Sequence, residues 1–203
     1  MIINNNNRNI NIVKDFMKHR NGHIFRFCAV AFSVWLCAAV LIINGCTPGT
    51  NHTWDSVMNK IRNKYPAVKQ LSTNELQELL NNKKSITPLI IDVREPEEYA
   101  VSHLHGAFIA VNEDEALKII AKESKDRFIV VYCSVGYRSS ELANKLQEKG
   151  FTEIYNLEGS IFKWANEERE IYQGDQLVNT VHPFNSKWKQ LLDKRFWHDP
   201  EKS

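Results

Sequence analysis

Past its first 46 residues the chain is poor in cysteine. Cys28, Cys37 and Cys46 lie in the opening segment, and Cys133 alone lies in the rest. A single cysteine excludes a disulfide framework within the globular part, and it excludes a cysteine-cluster zinc site. It also leaves no resolving thiol for a dithiol redox mechanism within the chain. A basic surplus is missing there too. The whole chain has a formal net charge of +2, but residues 1–46 carry five Lys/Arg against one acidic residue, and residues 47–203 carry 21 basic and 23 acidic side chains. Nucleic-acid binding relies on a clustered basic face, so the globular part gives no electrostatic case for it. No internal repeat is visible. What remains is an ordinary balance of 43% apolar and 25% charged residues in 203, enough for one globular domain with extensions.

The leader, residues 1–46, is a different kind of sequence. Residues 27–43 hold no charge. Lys14, Lys18, Arg20 and Arg26 precede this run, and the next basic residue is Lys60. That asymmetry orients the N-terminus to the cytoplasm and exports the rest of the chain to the cell envelope or periplasm. The run sits at the lower edge of a bilayer span and is slightly long for a signal-peptide core. Ile43-Asn44-Gly45-Cys46 resembles a bacterial lipobox, in which Cys46 is lipidated, although Asn44 is not the usual small residue at its position. Three readings stay open: a lipoprotein held through Cys46, an uncleaved membrane anchor, and a freely secreted protein. The Asn-rich residues 1–16 are unlike a basic signal start. Met17-Lys18-His19-Arg20 would open a conventional one, so translation is expected to begin at Met17.

Residues 47–66 read as a polar linker followed by a helix from Trp54 to Tyr65, with apolar Trp54, Val57, Met58, Ile61 and Tyr65 at helical spacing. Pro66 stops it. Ser72 and Glu75 form a capping-box pattern that opens a helix through Leu80. Residues 88–93 are a continuous apolar run, as in a strand buried on both faces. A short helix over 96–101, a strand over 107–111 and a helix over 113–121 come next. Phe128 to Tyr132 is the clearest strand, and it runs straight into Cys133. A helix over 139–149 ends at Gly150, a natural C-cap glycine. A strand over 152–157 and a helix over 161–166 complete the pattern. Strands alternating with helices predict an open α/β fold with a parallel sheet. Residues 174–203, with Phe184, Trp188, Phe196 and Trp197, read as an extension whose aromatics pack across the domain rather than form a binding stripe.

A thiol at the C-terminal end of a central strand, just before a helix, occupies the usual ligand position of an open α/β sheet. In Cys133-Ser134-Val135-Gly136-Tyr137-Arg138-Ser139, Gly136 permits a tight loop whose N–H groups turn inward. The helix then aims its positive end at the same point. These features depress a thiol pKa and make Cys133 nucleophilic, and Arg138 adds a fixed cation for an anionic substrate. The competing reading is a core cysteine followed by an ordinary turn.

Three stretches carry a family resemblance. They are residues 92–107, with Asp92-x-Arg94 and His103-x-x-Gly106-Ala107; residues 131–139, around Cys133; and residues 156–164, with Asn156-Leu157-Glu158-Gly159. Together they resemble the rhodanese (sulfurtransferase) domain family over about residues 67–173. The resemblance implies an open five-stranded parallel sheet flanked by helices. It also implies a Cys133 persulfide that takes a sulfane sulfur from a small donor such as thiosulfate and passes it to a thiol or cyanide acceptor, without a bound cofactor. The loop N–H groups of residues 134–138 would stabilise the persulfide, and Arg138 would hold the anionic donor. Asp92, Arg94, His103 and Gly106 would give structural support. Glu97 and Glu98 read as helix-start charges. His103 and His105 lack a third ligand nearby, so no metal is expected.

Two departures bear on substrate. Many thiosulfate-using members place a basic residue directly after the cysteine, where this chain has Ser134. Ser160 stands where the family usually has a second glycine. A non-catalytic binding module on the same fold, with an unidentified protein partner, is the second functional reading. A related phosphatase or arsenate reductase is the third. Those enzymes need five residues between Cys and Arg to encircle a tetrahedral oxyanion, and this chain has four.

Overall fold

A computed structural model of the chain describes residues 53–82 and 87–201. The leader, Cys46 and the expected start at Met17 lie outside the described residues.

Local signals set the elements. Helix α1 (Trp54–Lys64) starts at Thr53, whose hydroxyl accepts from the Ser56 N–H, and buries Val57 and Ile61, four residues apart on one face. After strand β1 (Lys69–Leu71), helix α2 (Thr73–Asn81) opens on the full reciprocal capping box between Ser72 and Glu75. Strand β2 (Leu89–Asp92) is buried at every position. Helix α3 (Pro96–Val101) has proline at its first position, where the missing N–H costs nothing. Strand β3 (Phe108–Ile109) and helix α4 (Glu113–Ile119) come after it. Strand β4 (Ile129–Tyr132), helix α5 (Tyr137–Glu148), strand β5 (Ile154–Leu157) and helix α6 (Ser160–Asn166) complete the α/β pattern.

The five strands form one sheet in the order β1-β5-β4-β2-β3, with every neighbouring pair parallel. This is the open five-stranded α/β architecture expected from the sequence. β2, β4 and β5 are buried at all four of their positions, because helices cover both faces of a parallel sheet. From β4 the chain moves on to β5 at one side, and from β2 to β3 at the other. The strand order therefore reverses between the C-terminal ends of β4 and β2, where an open sheet leaves a crevice.

Three details differ from the expected elements. β3 is two residues long rather than five, because it is an edge strand. Its Phe108 is exposed, and Ala107 turns back to donate its N–H to the Leu104 carbonyl at 3.1 Å. α5 starts two residues early, because Gly136 turns the chain directly into it. The C-terminal part also contains an antiparallel hairpin, β6 (Ile171–Gln173) and β7 (Gln176–Val178), beyond the elements expected from the sequence. Its two-residue Gly174-Asp175 loop is a recognisable hairpin signal.

At the end of β2 lies a fully buried ion pair. Arg94 and Asp92 are both 0% exposed. Arg94 Nε reaches Asp92 Oδ1 at 2.9 Å, its Nη2 reaches Oδ2 at 2.6 Å, and the same Nη2 donates to the Ser102 carbonyl at 2.5 Å. Burial alone would lower the arginine pKa; the Asp92 charge and hydrogen bonds outweigh it, and the pKa is raised. The pair ties the end of β2 to the exit of α3. Asp92→Asn should therefore cost about 3–5 kcal/mol, since it strands a buried guanidinium. Adding Arg94→Met should recover part of the loss, and urea denaturation midpoints of the two variants check both statements.

Candidate active site

Strand β4 ends at Cys133, which is 1% exposed. Only Ser134, Val135 and Gly136 separate it from α5. Gly136 has φ 107°, and a Cβ there would stand 3.2 Å from Asn156 Nδ2 and 3.5 Å from Ile61 Cδ1. A side chain at this point would be both strained and crowded. The turn carries the Gly136 N–H back to Cys133 Sγ at 3.1 Å. It also starts the helix at once, so Tyr137 and Arg138 lie in the first turn of α5, not in a loop ahead of Ser139 as expected from the sequence. The N–H groups that meet the sulfur are those of Gly136 and Ser139.

Burial pushes the Cys133 thiol up. The Arg138 charge, the Ser139 hydrogen bonds and the Gly136 N–H outweigh that, and its pKa falls below the ordinary thiol value. Such a shift favours the nucleophilic thiolate.

Arg138 has a partner that the sequence did not reveal. Its Nη1 donates to Glu98 Oε2 at 2.8 Å and its Nη2 to Glu98 Oε1 at 2.9 Å, a bidentate pair. Ser134 joins them: its hydroxyl donates to Glu98 Oε1 at 2.9 Å and accepts from Arg138 Nη2 at 3.1 Å. The Phe184 ring covers the guanidinium, 4.5 Å from Cζ to ring centroid. Arg138 is thus held in place by a buried carboxylate, and its charge also acts on the Cys133 thiol. Burial would raise the Glu98 pKa, but the Arg138 hydrogen bonds and charge, the Glu95 N–H and Ser134 outweigh it, and it lies below the ordinary carboxylate value of 4.5. The stability this pair contributes is therefore complete above the unfolded carboxylate value and lost as pH falls through the lowered folded one.

Ser160 is a second residue whose role the sequence does not disclose. It sits at φ 51°, in the left-handed region that favours glycine. Its hydroxyl accepts from the Cys133 N–H at 3.1 Å and donates to the Leu157 carbonyl at 3.1 Å. The serine in place of the expected glycine thus anchors the backbone of Cys133. Asn156 plays a similar part for α5: its Oδ1 accepts from the Ser139 hydroxyl at 2.6 Å, and its Nδ2 donates to Gln70 Oε1 at 2.7 Å.

The remaining candidates lie elsewhere. Asp92 and Arg94 form the buried pair at the end of β2. His103 stacks on Tyr99 at 4.1 Å and meets the Leu104 carbonyl through Nδ1 at 3.0 Å, whereas His105 meets the ring of Tyr172. Gly106 takes φ 68° in the turn between them and β3.

Above Cys133 opens a cavity of about 330 Å³. Its floor is Cys133, Ser134 and Val135, and one wall is Val57, Lys60 and Ile61 of α1. A second wall is Phe184, Lys187 and Trp188. Two of the C-terminal aromatics therefore line the site, where packing alone was expected of them.

A buried thiol of lowered pKa at the crevice of an open parallel sheet, held by backbone N–H groups at a helix start, is the class of site that this fold presents. The profile of the Rhodanese-like domain matches residues 72–167. The thiosulfate sulfurtransferase GlpE of Shewanella oneidensis is 35% identical over 96 residues, covering 47% of this chain and 91% of that protein. The probable adenylyltransferase/sulfurtransferase MoeZ of Mycobacterium tuberculosis is 33% identical over 101 residues, covering 48% of this chain; the chain spans only 24% of that protein's length. The rhodanese-like domain of the Anabaena Alr3790 protein overlaps 52% of this chain and 80% of that one, with 22% identity and a TM-score of 0.46. The chain belongs to the rhodanese-like domain family.

Two outcomes are expected of this geometry. Arg138→Gln should raise the Cys133 pKa and slow iodoacetamide alkylation at pH 7 roughly three- to tenfold, while Glu98→Gln, which leaves Arg138 uncompensated, should lower the pKa and speed it. The pH dependence of alkylation reads both, and the double variant, free of any unpaired buried charge, should fall between them. Ser160→Ala should destabilise by about 1–3 kcal/mol, because it orphans the Cys133 N–H and keeps the positive φ. Ser160→Gly relieves the backbone and should cost less; thermal unfolding of the two distinguishes them.

Proposed function

We propose that this domain is a sulfurtransferase that moves a sulfane sulfur from a donor such as thiosulfate to a thiol or cyanide acceptor through a Cys133 persulfide. The observation that carries the reading is the Cys133 sulfur itself, with a lowered pKa and the Gly136 N–H at 3.1 Å, at the floor of an open cavity. Membership of the rhodanese-like family supports it, and so does the likeness to a thiosulfate sulfurtransferase.

The reaction has two displacements. The Cys133 thiolate attacks the outer sulfur of thiosulfate; the S–S bond of the donor breaks, its electron pair leaves on sulfite, and Cys133 carries the persulfide. A thiolate or cyanide then attacks the outer persulfide sulfur, and the electron pair returns to Cys133. No external oxidant or reductant enters. The N–H groups at the start of α5 face the sulfur throughout and cost no reorganisation during the reaction. In this scheme Arg138 depresses the thiol pKa and fixes the loop through Glu98. The leader extends the proposal to location: export, with attachment through a lipid on Cys46 or through the uncleaved apolar run.

Intact-mass spectrometry after thiosulfate treatment tests the chemistry. The chain should gain one sulfur atom that dithiothreitol removes, and Cys133→Ser should gain none. An unmodified mass in a protein whose Cys133 remains alkylatable would refute the sulfurtransferase reading and favour the binding module.

A further inference from the structure

The walls of the cavity do not come from the part of the chain that the family profile matches. Residues 72–167 supply the floor, with Cys133, and the rim residues Tyr137 and Arg138. The two walls come from α1, which precedes that part, and from residues 184–188, which lie beyond it. These walls have a definite chemistry. Val57, Ile61 and Trp188 give an apolar lining, and Lys60 and Lys187 bring one cation from each wall. Both lysines are exposed, whereas Cys133 is buried, so the cavity runs from a sulfur at its floor to two cations at its outer end.

Size and charge placement argue against an inorganic anion as the best-fitting occupant. A cavity of about 330 Å³ falls in the range that holds small organic ligands. The arginine nearest the sulfur is already paired with Glu98. The other cations that line the cavity are the two lysines on the walls, Lys60 and Lys187, the latter with its Nζ 5.0 Å from the centroid of the Trp188 ring. An occupant that satisfies all three features places a sulfur at the floor, an apolar body between the walls and an anionic group at the outer end.

Resting on the sulfurtransferase reading, we propose that the sulfur carrier served by this pocket is a small organic thiol and its persulfide, with a carboxylate at the end remote from sulfur, held by Lys60 and Lys187. The transfer is R–S–SH plus Cys133–S⁻ giving R–S⁻ plus Cys133–S–SH. One S–S bond breaks and one forms, and the electron pair leaves on the carrier sulfur. The reverse direction charges the carrier. Lys60 and Lys187 are then specificity residues that bind the far end of the carrier and take no part in the bond changes.

Affinity labelling tests the recognition without relying on sulfur transfer. The chain is alkylated at Cys133 with ω-bromo carboxylic acids of four and six carbons and, in parallel, with their neutral amides. The acid-to-amide rate ratio cancels differences in thiol reactivity. The ratio should reach about tenfold for at least one chain length, the scale of two exposed ion pairs acting together. It should fall to near one in the Lys60→Met/Lys187→Met variant and below one in Lys187→Glu, both checked for native circular dichroism. A ratio near one in the unaltered chain, or one that survives loss of both lysines, would overturn the proposal. Labelling needs only the thiol, so a chain that shows the ratio but takes up no sulfur from either thiosulfate or an organic persulfide refutes the sulfurtransferase reading and keeps the carboxylate site.

Discussion

The buried carboxylate of Glu98 is the constraint on which the site depends. It lies on α3, just past β2, and it clamps Arg138 and Ser134, just past β4. The clamp therefore spans the crevice where the strand order reverses. A carboxylate that is 1% exposed would be costly alone. Paired bidentately, it fixes the guanidinium on one side of Cys133, while Ser160 and Asn156 fix the backbone and the helix start on the other. The sulfur is thus held in a frame of groups that are each oriented by a second partner. A small nucleophilic site needs such support if its geometry is to be set before substrate arrives.

How legible this was depended on the range of the interaction. The strand into Cys133, the glycine that turns the chain and the helix after it are local signals, and the sequence shows them in order. The capping box at Ser72 and the buried run of β2 are equally local. Glu98 was not legible, because a glutamate in the first turn of a helix has an adequate local explanation and its partner lies forty residues away. Ser160 reads as a tolerated substitution until its hydroxyl is seen on the Cys133 N–H. The start of α5 was hard to place because Tyr137 and Arg138 look like loop residues beside Gly136, while at φ 107° that glycine is itself the N-cap.

The walls were hidden for another reason. Val57, Ile61 and Trp188 have the spacing and chemistry of packing residues, and they do pack; the surface they leave happens to face a thiol. Periodicity tells which side of a helix is apolar and says nothing about what that side will meet. Phe184 shows the same limit, since only the fold reveals that its ring rests on the guanidinium of Arg138.

The division between floor and walls has an evolutionary consequence. The Cys133 sulfur and its supports sit in one continuous stretch of chain, and the surfaces that would select a carrier sit in two segments at either side of it. Drift in α1 or in residues 184–188 can reshape the chamber while the chemistry at its base stays untouched. On the proposed reading, chemistry and selectivity would then be separable parts of one chain, and a change of flank would alter what the cysteine loop serves without altering the loop.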